Sequence, residues 1–196
     1  MTICALNREH LFGEIVDGKI RLNKTGKIIQ SVWSELPQNY QGVNTDAFVV
    51  MPNHIHGIIV LSSVGATPCG CPPPGQAQGP APTMSLPDVV HRFKSVTTTR
   101  YRKSFLQDHS QQFSGCLWQR NYYEHVVRNE DELNRIREYV LYNPLQWQYD
   151  RENPECIQDN DYEKQWGDFE EKIFGERIIQ QAGMSVVPDV SEDIPV

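Results

Sequence analysis

Apolar residues alternate with polar ones over short stretches early in the chain and recur at helical spacing elsewhere. Glu14-Ile-Val16 and Lys19-Ile-Arg-Leu22 flank Asp17-Gly18, a two-residue step suited to positive φ, and predict a β-hairpin. Ile28, Ile29, Val32, Trp33 and Leu36 then repeat with a helical period, with Thr25 the expected N-cap and Pro37 the expected stop. Ala47–Met51 and His54–Leu61 are β-prone runs around the turn residues Pro52-Asn53 and are expected to pair antiparallel. Leu86, Val89, Val90, Phe93 and Val96 or Thr97 predict a helix from about Ser85. Trp118–Arg128 mixes aromatic and β-branched residues and reads as a strand with irregular ends. Asn129, with Glu132 three residues on, opens a further helix. Its buried stripe is expected at Leu133, Ile136, Val140 and Leu141, and its stop at Pro144. Strand, hairpin, helix, paired strands, helix, strand, helix is the order of an α+β sandwich with helices on a sheet.

Composition marks the boundaries. Seven prolines and four glycines fall within Ser62–Pro87, too many for a packed element, so this stretch is expected to be a flexible loop. Cys69 and Cys71 within it read either as a metal or redox pair or, more simply, as incidental thiols. The expected organisation is one domain over residues 1–153, with the Pro/Gly-rich insertion at 62–87, followed by an acidic extension over 154–196. Trp166, Phe169, Ile173 and Phe174 predict a helix at Tyr162–Ile179, and disorder is expected after Pro188. The 196 residues suit about one domain. The longest apolar runs, such as Ile58–Leu61, are too short to cross a bilayer, so no membrane association is expected. No basic-then-apolar leader opens the chain, and five cysteines without a CxxC suit reduced thiols, so a cytoplasmic protein is expected.

A net charge of −7 argues at first against a nucleic-acid partner. The charge is uneven, however. Residues 146–196 carry 13 acidic and 4 basic side chains, which leaves the rest of the chain slightly basic. His91–Lys103 holds Arg92, Lys94, Arg100, Arg102 and Lys103 with no acid. Such a run serves either as a phosphate-binding patch or as a solvated helix face.

Two constellations carry candidate chemistry. His54-Ile-His56 in a strand sends both imidazoles to one face with Ile55 turned away. Two neutral imidazoles suit a divalent transition metal but are too few to close a structural zinc site, which leaves room for substrate. Taken alone, the pair also fits structural histidines. Tyr139 and Asn143 lie one helical turn apart beside the apolar stripe, the first offering a phenol nucleophile and the second a carbonyl oxygen. A core-edge tyrosine and a helix-closing asparagine is the plainer reading.

Together the blocks Met51-Pro-Asn-His-Ile-His-Gly57, Trp118-Gln-Arg-Asn-Tyr-Tyr-Glu-His-Val-Val-Arg128 and Arg137-Glu-Tyr-Val-Leu-Tyr-Asn-Pro144 resemble the signatures of REP-associated tyrosine transposases, of the HUH single-tyrosine (IS200-like) superfamily. The resemblance runs from about Ile3 to Asn153, interrupted by the insertion. It implies a ferredoxin-like α+β fold with an antiparallel sheet. It also implies metal-dependent cleavage and rejoining of single-stranded DNA at hairpin-forming sequences through a 5′-phosphotyrosine link. By motif position Tyr139 matches the nucleophile, His54, His56 and Asn143 match the metal ligands, and the metal is magnesium or manganese. His125 lies in the signature without an assigned role.

DNA binding is expected from Arg92, Arg100 and Lys103 of the basic run and from Arg120, Tyr122, Tyr123 and Arg128. The expected partner is single-stranded or hairpin DNA, bound by a monomer or homodimer at the nucleoid. Two features depart from the family pattern: a start at Met1-Thr-Ile-Cys-Ala inside the first strand, and an acidic tail that would repel DNA unless packed away. The alternatives are a DNA-hairpin-binding protein of the same fold without productive catalysis, and a small zinc-binding module using the histidines and loop cysteines.

Overall fold

A computed structural model of the chain describes residues 1–62, 84–108, 116–150 and 152–156, all within the compact unit Met1–Gln158. The strands are β1 (Thr2–Cys4), β2 (Gly13–Val16), β3 (Lys19–Leu22), β4 (Val43–Val50) and β5 (His54–Leu61). The helices are α1 (Lys24–Asn39), α2 (Leu86–Asp108) and α3 (Glu130–Tyr142), with 3-10 turns at Leu6–Arg8 and Asn143–Tyr149. Most of the insertion, the Tyr162–Ile179 stretch and everything after Pro188 lie outside the described residues. No helix among the described residues is long and apolar enough to cross a membrane.

The main sheet is antiparallel in the order β1-β5-β4. Isolated bridges Ala5↔Trp118 and Thr2↔Tyr123 place residues 118–123 on the other side of β1. With β1, β4, β5 and this segment counted in chain order as one to four, the spatial order is four-one-three-two. That is the ferredoxin-like arrangement of the α+β class. The segment departs from the expected continuous strand. Three steps along β1 separate the bridges against five steps along the partner, so two residues bulge out. The carbonyls of Gln119, Arg120 and Asn121 turn instead to the Lys94 ammonium of α2, at 2.9, 3.2 and 2.9 Å.

β2 and β3 form the expected separate hairpin, with Asp17 (φ 51°) and Gly18 (φ 70°) supplying the left-handed turn. β4 is longer than Ala47–Met51. Its register shifts between Thr45 and Phe48, so that Asp46 and Ala47 together face Ile58 of β5. Asn23, not Thr25, caps α1, accepting from the Gly26 N–H at 3.0 Å, while Thr25 lies buried in the first turn. Pro37 does not stop this helix. Its ring costs only the bond to the Trp33 carbonyl, and the Tyr40 N–H still reaches Leu36 O.

α1 and α2 cover one face of the sheet. Ile29, Val32, Trp33 and Leu36 of α1 and Val89, Val90 and Phe93 of α2 form the core with Ile3, Val50 and Ile55. Trp33 stacks on Phe48 with ring centroids 4.2 Å apart, and Phe93 meets its edge at 5.8 Å. Residue 57 must be glycine because a Cβ there would overlap the Trp33 indole. Ile55 and Gly57 therefore face α1, and the alternation of β5 turns His54 and His56 to the opposite face.

α3 and the 3-10 turn after it lie on that opposite face. Asn129 caps α3 as expected, accepting from the Glu132 N–H, although the Glu132 carboxylate bonds the Arg128 N–H instead of closing a full capping box. The helix is rotated relative to the expected stripe. Ile136, Tyr139 and Val140 are buried and Leu141 is 65% exposed, because the sheet face below offers imidazole rings for Tyr139 to pack on. α3 ends at Tyr142, and Pro144 is the second residue of the 3-10 turn that follows.

Candidate active site

His54 and His56 are fully enclosed by the turn before β5, by β1 and by α3. Their Nε2 atoms point at each other, 2.9 Å apart. Each ring is fixed from behind. The amide nitrogen of Asn53 donates to the carbonyls of Arg8 and Glu152, so its oxygen faces the ring and accepts from His54 Nδ1–H at 2.8 Å. His54 Nε2 therefore carries a lone pair. His56 Nδ1 meets the Thr2 hydroxyl at 2.8 Å, which can serve either tautomer. Two lone pairs at such a distance repel unless a proton or a cation lies between them. Burial lowers the His54 pKa from 6.5 to about 4. Burial, and then the neighbouring His54, hold His56 well below its ordinary value. Both are thus neutral near pH 7, the state a metal requires.

Tyr139 packs the edge of its ring on His56, with centroids 5.1 Å apart, and is 8% exposed. Asn143, one turn further on and the first residue of the 3-10 turn after α3, is buried, and its Oδ1 accepts no hydrogen bond from the described residues. A buried amide oxygen without a donor is costly; a cation would satisfy it. The donor set of two imidazole nitrogens and an amide oxygen fits a divalent ion with open positions. Trp147, in the turn after α3, lies over His54 with ring centroids 6.1 Å apart.

Sequence reasoning missed two residues here. Asn53 reads locally as a turn residue, yet it is fully buried and fixes His54. Asp150 stands in an acidic stretch where no one carboxylate is distinctive, yet its Oδ2 is 3.7 Å from His54 Nε2.

The residues expected to bind DNA are placed less uniformly. Arg92 and Lys103 are exposed on α2, the layer away from the histidines. Arg100, also on α2, makes two 2.6 Å bonds to the Glu35 carboxylate. Arg120 is exposed on the bulge beside β1. Tyr122 donates to Glu124 at 3.0 Å, and burial followed by this carboxylate raises its pKa to about 12. Tyr123 is half-buried at its bridge to Thr2, and Arg128 is exposed just before α3. His125 Nε2 meets the Glu132 carboxylate at 2.6 Å, which ties the approach segment to the first turn of α3.

Residues 79–143 match the family described as Transposase IS200 like, a span that includes Tyr139 and Asn143. An uncharacterised protein of Haemophilus influenzae is 36% identical over 154 residues, covering 77% of this chain and 82% of the relative. The chain belongs to the IS200-like transposase family. The fold of this IS200-like transposase family member is also similar to a solved REP-associated tyrosine transposase bound to a REP hairpin. That likeness has a TM-score of 0.46 and 17% identity, and it covers 74% of this chain and 64% of the solved one.

Proposed function

We propose that this IS200-like transposase family member cleaves and rejoins single-stranded DNA at hairpin-forming sequences, using Tyr139 as nucleophile. The observation that carries the reading is the buried His54–His56 pair with converging Nε2 atoms and the Tyr139 ring packed against it. His54, His56 and Asn143 would hold magnesium or manganese, and the imidazoles tilt the site toward manganese. Such an ion, when bound, offsets the phosphate charge that repels a nucleophile.

The chain's own groups supply the rest. α3 holds the Tyr139 side chain, 8% exposed, with its ring against the His56 imidazole. The phenol loses its proton to water, its oxygen bonds to phosphorus, and the P–O3′ bond breaks. The 3′-oxygen leaves and takes a proton from water, so the product is a 5′-phosphotyrosine and a free 3′-hydroxyl. The link conserves the phosphodiester energy, and attack by a 3′-hydroxyl reverses the step without ATP. Arg120, Tyr122, Tyr123 and Arg128, which precede α3, are proposed to contact the strand, with Arg92 and Lys103 on the far layer.

The 8% exposure of Tyr139 equally suits a protein that binds hairpins without cleaving them. The test is incubation of the full chain with end-labelled single-stranded hairpin DNA and manganese, followed by a denaturing gel. A covalent adduct that disappears in Tyr139→Phe while hairpin binding persists supports the proposal. Binding with no adduct from the wild-type chain supports the second reading.

A further inference from the structure

The three ligands of the proposed metal site are all uncharged: two imidazoles and an amide. A hard dication held only by neutral donors is held weakly, and affinity rises with the number of anionic ligands. The fold places one carboxylate at this site. Resting on the metal-site reading above, we infer that Asp150 is a fourth protein ligand and supplies its only anionic donor from the described residues.

The ligand atoms of His54, His56 and Asp150 all lie within 4.8 Å of one another. Asp150 Oδ2 is 3.7 Å from His54 Nε2. Two donors sharing one ion with bonds of about 2.1 Å sit roughly 3 to 3.5 Å apart, so the Asp150–His54 pair needs to close by only a few tenths of an ångström. The aspartate is held for this task. Its Oδ1 accepts the Glu152 N–H at 2.7 Å, which leaves Oδ2 on the histidine side. Its N–H donates to Trp147 O at 3.2 Å, and its carbonyl accepts the Asn153 N–H at 2.9 Å. Glu152 anchors the segment from outside: its carboxylate pairs with Arg8 at 2.8 Å, and its carbonyl accepts from the same Asn53 amide that fixes His54. One asparagine thus orients the first imidazole and ties down the segment that carries the carboxylate.

The reading has a chemical consequence. With Asp150 bound, the ion keeps less positive charge and fewer open positions for a phosphate oxygen. Asp150 then favours metal retention over substrate grip.

The test is a calorimetric manganese titration of the full-length wild-type chain, Asp150→Asn and His56→Ala. Asp150→Asn preserves shape and the Oδ1 bond while removing the charge. Wild-type binding of one ion, loss in His56→Ala, and affinity at least about tenfold weaker in Asp150→Asn support the inference. Equal affinity in Asp150→Asn and wild type overturns it and leaves the metal-site reading standing. Equal binding by wild type and His56→Ala, or no binding by wild type, overturns both. Hydrogen exchange on the wild-type chain gives a readout independent of variant folding. Manganese slows the amides of Asp150 and Glu152 if the carboxylate ligates; unchanged exchange there overturns the inference.

Discussion

Arg137 of α3 grips both carboxylate oxygens of Asp46, with Nη2 at 2.7 Å from Oδ2 and Nε at 3.0 and 3.2 Å from Oδ1 and Oδ2. Asp46 can reach it because it occupies the bulge of β4. This pair is two residues from Tyr139 and fixes the rotation and height of α3 over the sheet. The bond to Arg137, the largest cause, holds the Asp46 carboxyl below its ordinary pKa.

Asp46→Ala is therefore expected to slow adduct formation by at least about tenfold, because misplacement of a reacting group by about 1 Å is enough for such losses. Manganese affinity should fall less than the rate, since His54 and His56 stay on β5 and only Asn143, at the end of α3, moves with the helix. Arg137→Lys should not preserve the rate, because an ammonium cannot fork onto a carboxylate. Single-turnover rates beside metal titrations check this; an unchanged rate in Asp46→Ala would refute the positioning role.

Asn53→Ala removes the acceptor behind His54 and the donor to two carbonyls. Manganese affinity is expected to fall about 10- to 100-fold, as for other groups that orient a metal-binding imidazole. His54→Ala and His56→Ala should fall further, with cleavage lost and the far-ultraviolet circular dichroism retained. Retention of wild-type affinity in Asn53→Ala would show that packing alone orients His54.

The pH dependence of stability follows from the buried imidazoles. The folded pKa of His54 lies near 4 against an ordinary 6.5, so above pH 6.5 both folded and unfolded chains carry it neutral. Below 6.5 the unfolded chain takes up a proton that the folded chain refuses. Stability is then lost as pH falls toward 4, by about 3 kcal/mol for this group. Chelator-treated wild type should melt progressively lower between pH 6.5 and 5, above the range where carboxylates titrate, and His54→Asn should show a flatter profile. Parallel profiles would exclude His54 as the cause.

The salt dependence of hairpin binding separates two candidate DNA paths. Each phosphate neutralised on single-stranded DNA contributes roughly −0.7 to the slope of log affinity against log salt. Arg120→Gln with Arg128→Gln is expected to flatten the slope by about 1.4 if both contact phosphate. Arg92→Gln with Lys103→Gln, on the layer behind the sheet, should leave it nearly unchanged. The reverse result would route DNA along α2. Arg100 is a poor probe in either case, since its loss also strands Glu35.

Much of the fold was legible because its signals are local. Asp17-Gly18 specified a hairpin turn, and His54–Leu61 declared itself by composition. Its pairing with β4 followed from the short turn between them. What was misread depends on contacts between distant segments. The full length of β4 was hidden because Asn44 and Asp46 break its pattern, and Asp46 is explained only by Arg137, far along the chain. Leu141 looked like core and Tyr139 like margin until the imidazoles beneath α3 set its rotation. In the candidate site, spacing singled out His54 with His56 and Tyr139 with Asn143, but it fitted structural side chains as well, and only the resemblance of the three sequence blocks joined the two pairs into one proposed site. Asn53 and Asp150 were not, because one stands in a turn that asparagine favours anyway and the other among many acids.

The Lys94 clamp also bears on how the protein behaves in a crowded solution. An unpaired strand normally presents a row of carbonyls and N–H groups to which any extended chain can add. Beside β1 that row is broken: three successive carbonyls turn inward to one ammonium, and two residues bulge out of register. This border offers no regular template for another strand, so the side of the sheet that carries Arg120 and Tyr122 stays available to a ligand without inviting self-association through backbone pairing.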